Sequence, residues 1–119
     1  MRYACLVYFD PTTAFNGSAD SNAVLQEAEM NRQSLLADGI AAEALTLPSE
    51  AITVRVRGGN MSTTDGPFME TKEVLGGFVL IEADDIRAAI RIAATNPMAK
   101  IGSVEVRPLV DFSKPRPVV

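Results

Sequence analysis

The chain has no histidine among its 119 residues. This removes the commonest general base near neutral pH and the commonest transition-metal ligand. A Ser-His-Asp triad within one chain is excluded. Cys5 is the only cysteine. No intrachain disulfide and no cysteine-based zinc cluster can form, and a thiol in an apolar run is expected to be buried. Runs of basic residues are also missing. Eleven Lys and Arg stand scattered against fifteen Asp and Glu, for a net charge of −4. No direct nucleic-acid binding is expected from that balance. No Gly-x-Gly-x-x-Gly, no phosphate-cradling loop and no calcium loop occurs, so neither a cofactor nor a metal is expected. The apolar run Tyr3–Phe9 ends at Asp10-Pro11. It is too short to span a membrane and has no cleavage pattern, which leads to the expectation of a cytoplasmic protein.

What is present is ordinary globular composition, 47% hydrophobic and 22% charged, in a length suited to one domain. "RYACLVYF" reads as a strand covered on both faces. "DPTTAFNGSADS" reads as a loop. A helix is expected over Asn22–Asp38, capped by Asp20 or Ser21 and stopped at Gly39. Its apolar side draws on Val24, Ala28, Leu35 and Leu36, widened by Leu25 and Met30. "AITVRVR" alternates, with Ile52, Val54 and Val56 on one face and Thr53, Arg55 and Arg57 on the other. Gly58-Gly59 then permits a tight hairpin into "MSTT". "VLGGFVLIEA" is a further strand whose Gly76-Gly77 marks a bulge or a close backbone approach. "DDIRAAIRIAATN" is a second helix, capped by Asp84 or Asp85, with Ile86, Ala89, Ile90 and Ala93 as its apolar stripe. "GSVEVRPLVDF" closes the series as a strand, and "SKPRPVV" is a proline-rich tail. This order fits an α+β fold, a ferredoxin-like βαβ-βαβ sandwich. Helices would cover one sheet face. The other would need a partner, for which homodimerisation is the simplest solution.

The stretch "TDGPFMETKEVLGGFVLIEADDIRAAIRIAATNPMAKIGSVEVRPL", with the opening "RYACLVYF" and "AITVRVRGG", resembles the DGPF-motif proteins, a branch of the YCII-related family. The resemblance implies a ferredoxin-like domain over residues 1–112, pairing into a dimeric α+β barrel, with 113–119 as a tail. It implies no established activity for many members and, for some, association with an extracytoplasmic-function sigma factor. Wider relatives resemble small-molecule enzymes with a His-Asp pair. Here histidine is absent, and Asn96 before Pro97 stands at the acidic position, so both halves of that pair are missing.

Within the motif, Asp65-Gly66-Pro67-Phe68 has the chemistry of a turn, with Phe68 expected to plug into the core. Asp65 is also a candidate cleft carboxylate. Alternation in an extended segment would put Glu70 and Lys72 on one side and Glu73 opposite. Glu70 and Lys72, with Arg107 from the last strand, could then form a site for an anionic substrate. Tyr8 sits at the rim beside Asp10. The ligand-site candidates are therefore Tyr8, Asp65, Glu70, Lys72 and Arg107, with no catalytic residue assigned. Arg55 and Arg57 could pair with Glu105 if their strands are neighbours. Two functions compete: a dimeric small-molecule-binding protein, with acid/base activity on a small anionic metabolite, and a non-catalytic interaction module working with a sigma factor.

Overall fold

The computed structural model describes residues 1–119. Strand β1 spans Arg2–Phe9, a short helix α1 Pro11–Ala14, α2 Ala19–Ala37, β2 Ala42–Ala44, β3 Ile52–Arg57, β4 Asn60–Asp65, β5 Val74–Glu82, α3 Ile86–Ala94 and β6 Ser103–Pro108. Single 3₁₀ turns occupy Pro48–Glu50 and Pro97–Lys100. The mixed α+β architecture expected from the sequence is present. Four strands form one sheet in the order β2-β5-β1-β6, with every neighbour antiparallel. Strands β3 and β4 form a separate two-stranded sheet. No helix is long and apolar enough to cross a membrane.

The centre of the molecule is β1. Its alternate residues Tyr3, Cys5, Val7 and Phe9 are buried beneath the helices, because successive side chains of a strand point to opposite faces. Tyr3 and Cys5 pack with Val79, Ile81, Ala42 and the α3 residues Ala89 and Ala93. Val7 and Phe9 pack with Ala14 and Met98, flanked by Val24, Leu25 and Ala28 of α2. Burial pushes the Cys5 thiol up from its ordinary value. Ala4, Leu6 and Tyr8 are only half-buried, so the expectation of cover on both faces fails for one chain. The helices reach only one side of the sheet.

Local signals explain most element ends and correct several expectations. Ser18 caps α2 by accepting from the Ser21 amide, so the helix starts earlier than Asn22. Asp10 caps α1 inside the segment expected to be a loop, and Pro11 stands at the first helical position, where its missing N–H costs nothing. Gly39 takes a φ of +78° just past α2, as its stop role requires. Asp85 caps α3 by accepting from Ala88 at 2.8 Å. In α3 only Ala89 and Ala93 are buried, while Ile86 and Ile90 are exposed. The small residues let the helix lie close to the sheet, which leaves the isoleucines at its margin. Met30 and Leu36 of α2 are exposed for the same reason of limited reach.

The glycine pair in β5 is a packing requirement. A side chain at Gly76 would place its Cβ 1.9 Å from Phe9 Cε1, and one at Gly77 would come within 2.7 Å of the Glu43 carbonyl oxygen. The β1–β5 register shifts between Val7 and Tyr8, skipping Gly76, so the pair marks both a bulge and a close approach. At the β3–β4 turn, Gly58 and Gly59 have φ of +57° and +78°, the mirror-image geometry that suits a two-residue hairpin. Within that hairpin no residue is buried. The chain as a whole exposes 8589 Å², against about 6200 Å² for a compact monomer of this mass. Its radius of gyration is 16.6 Å, against about 13.5 Å for a compact domain of this length.

Two outcomes follow from this packing. Gly76→Ala must displace the Phe9 ring or bend β5, and should cost about 1–3 kcal/mol in urea unfolding; an unchanged midpoint would show that the ring has free space. The Asp10 carboxyl is held below the usual range by the Thr12 hydroxyl and then the Thr12 amide, with a smaller pull from Lys72. A depressed native value means that this contribution is present above the unfolded carboxylate range and lost as pH falls through the native one. An NMR titration should place the Asp10 midpoint below that of free aspartate, and Thr12→Val should raise it.

Candidate functional site

The largest recess lies where the root of the β3–β4 hairpin meets the end of the main sheet. It is an open cleft of about 1030 Å³, lined by residues 45–49 after β2, the DGPF turn, residues 69–71 and 73, and Tyr8, Val74 and Leu75 of the sheet. Two hydrogen bonds fix its wall. The Gly66 amide donates to the Ala51 carbonyl at 2.7 Å, and the Thr53 hydroxyl donates to the Gly66 carbonyl at 2.9 Å. Gly66 has a φ of +96°, a backbone setting that other residues reach only with strain. The DGPF turn is therefore closed by its backbone and by Thr53. Asp65 ends β4 opposite Ile52 and is exposed.

Phe68 is 74% exposed at the mouth of this cleft. The expectation that it plugs the core fails, because the turn leaves the hairpin on the side away from both helices. Glu70 and Glu73 are the only charged residues of the lining, and Tyr8 contributes from β1. Lys72 lines a different, shallower recess of about 470 Å³ with Asp10, Pro11 and Thr12. Glu70 and Lys72 therefore line adjoining recesses, which share Leu47, Pro48, Ser49, Thr71 and Val74. Residues 66–73 form no strand, so the period of two that would have aligned them does not operate. The Thr71 hydroxyl turns this segment further by donating to the Glu73 carbonyl.

Arg107 lies elsewhere. It stands on β6 opposite Ala4, whereas Tyr8 stands opposite Ser103. Its guanidinium donates to Glu105 at 3.1 Å from Nε and 2.5 Å from Nη2. That hydrogen-bonded pairing raises the Arg107 pKa above the ordinary guanidinium value. Arg55 and Arg57 are on the separate hairpin, so Glu105 cannot be their cross-strand partner. Of the five sequence candidates, Tyr8 and Glu70 come together in one cleft, and Asp65, Lys72 and Arg107 do not join them.

Sequence reasoning missed the segment after β2. Leu45, Leu47 and Pro48 form one wall of the cleft. It also missed a second cavity, about 210 Å³, between α2 and the sheet. Phe9, Phe15, Leu25, Ala28 and Met98 line it, and Arg32 bridges Glu29 at 2.8 Å and Glu43 at 3.6 Å beside it. Asn96 reaches this cavity, but its side-chain oxygen accepts from the Met98 amide at 3.0 Å. Its role in the chain is to cap the turn at Pro97.

The profile of the YCII-related domain matches residues 1–113. An uncharacterized protein of Rhizobium meliloti (strain 1021) is similar to this chain, with 35% identity over 114 residues that cover 92% of each. The opening strand, the hairpin, the DGPF turn, the paired glycines and the last strand all lie inside the matched span. The chain belongs to the YCII-related domain family.

Proposed function

We propose that the protein works as a homodimer that binds a small, largely apolar molecule carrying a cationic or hydrogen-bond-donating group. The observation that carries this reading is the lining of the hairpin-root cleft. Its wall is built from leucine, proline and phenylalanine side chains with Tyr8, and its only charges are Glu70 and Glu73. An apolar wall with a few polar groups at one side is the usual form of a small-molecule site. Neither Glu70 nor Glu73 forms an ion pair within the chain, and unpaired carboxylates favour a donor over an anion.

Homodimerisation draws support from surface area. The excess exposed surface, roughly 2300 Å² over a compact monomer, exceeds the roughly 800 Å² per partner of a standard interface. The strand order β2-β5-β1-β6 with two helical crossovers supports a ferredoxin-like sandwich, and the half-buried sheet face supports its closure into a dimeric α+β barrel.

Acid/base activity on a small anionic metabolite, the expectation raised by the motif, draws less from this geometry. Asp65, Glu70 and Lys72 are each exposed, and Lys72 faces Asp10 across another recess. A sigma-factor partner has no specific feature of the surface in its favour.

Three matched probes test the binding reading: benzylamine, benzyl alcohol and benzoate, titrated by NMR. The amine should bind best and shift the signals of Phe68 and Glu70, with Glu70→Gln weakening it about tenfold. Tighter binding of benzoate that is lost in Lys72→Ala would overturn the reading and restore the anionic one.

A further inference from the structure

The β3–β4 hairpin is a two-stranded sheet of its own. Such a ribbon is marginally stable at best in water unless something covers it. The register sorts its side chains sharply. Ile52, Val54, Val56 and Met61 share one face with Thr63 and, at the root, Asp65, while Arg55, Arg57, Ser62 and Thr64 share the other. The four apolar side chains are between 58% and 71% exposed. Its root is held by the two hydrogen bonds at Gly66, so the ribbon projects as an ordered arm.

The main sheet presents the complementary surface. Leu6, Phe78 and Leu80 stand on the face opposite the helices, in register across β1 and β5; they are half-buried within the chain, with Glu105 and Arg107 of β6 on the same face. Each chain thus holds one exposed arm with an apolar row and one sheet face with a half-buried apolar strip that its own helices do not reach. Two-fold symmetry makes every contact reciprocal. Arm against arm would leave both sheet faces open, and sheet against sheet alone would leave both arms in water. Exchange, with each arm laid along the partner's sheet as the two sheets close on one another, removes both surfaces from solvent in both chains and leaves Arg55 and Arg57 outward in water.

We propose that the β3–β4 hairpin is an exchange arm, which lays Ile52, Val54, Val56 and Met61 on the open sheet face of a second copy of this chain. The inference rests on the homodimer reading and adds the surfaces that make it. Because the arm's root is the wall of the Glu70 cleft, closure of the dimer fixes the shape of that cleft.

The test is the dimerisation constant of the full chain, measured by sedimentation. Val54→Glu with Val56→Glu should weaken it at least about 100-fold. The circular dichroism of the chain should be unchanged, because both side chains are already exposed within it. Arg55→Glu, on the outward face, should move the constant less than about threefold. A dimeric wild type with an unaltered constant in the double variant would overturn the arm and leave the homodimer standing. A wild type that sediments as a monomer at micromolar concentration would bring down both. Mixing Val54→Cys with Leu80→Cys under mild oxidation should give a cross-linked heterodimer. A cross-link formed by Val54→Cys alone would overturn the arm-on-sheet contact.

Discussion

The structure depends on how β1 is paired and covered. Hydrogen bonds to β5 on one side and β6 on the other make it a central strand. One row of its side chains, Tyr3, Cys5, Val7 and Phe9, carries both core clusters. Each such side chain contributes about 1.5–3 kcal/mol on burial, so this one row underlies much of the fold. The chain has two helices long enough to lie across a sheet, α2 and α3. Both connections cross the same face, and nothing remains to cover the other. The open sheet face and the free hairpin are thus consequences of one limit, the cover available to a chain of this length.

The glycine pair links this core to the cleft. Phe9 occupies the space that a side chain at Gly76 would need, while Gly77 lets β2 approach. Gly102 makes a similar concession on the other side, where a Cβ would fall 2.1 Å from the Tyr8 carbonyl oxygen. The end of β1 is therefore gripped between the glycine pair of β5 and Gly102, just before β6. The bulge at Val7 and Tyr8 falls within this grip and turns the Tyr8 side chain toward the DGPF segment. The motif's glycines and its turn work together as shape: one set seats Phe9 and the other sets the cleft wall.

What could be read from the sequence was whatever depends on near neighbours. Alternation in β3 placed its faces correctly, and Gly58-Gly59 marked the hairpin. Gly39 and Asp85 marked helix ends because their backbone and capping roles are local. Ser18 was missed because Asp20 and Ser21 offer the same capping oxygen, and only the chain path decides among them. Phe68 was misplaced because a turn residue's destination is set by what lies across the fold. Glu70 and Lys72 separated because alternation holds only inside a strand. The proposed partners of Arg55 and Arg57 were lost to topology, since β3 and β6 belong to different sheets.

The charges of the molecule point the same way as its shape. A carboxylate becomes a useful acid or base when burial or a close charge tunes it. Glu70 is exposed, and the nearest candidate cation in sequence, Lys72, is turned toward Asp10, which Thr12 already holds. Arg107 is taken by Glu105, and Arg32 by Glu29 and Glu43. Arg107 and Arg32 are thus engaged within the chain, whereas Lys72 makes no ion pair and lines the recess that adjoins the cleft. Glu70 and Glu73 remain together in the cleft with an apolar wall behind them. Under the proposed reading, such a surface recognises a donor and holds it against leucine and phenylalanine.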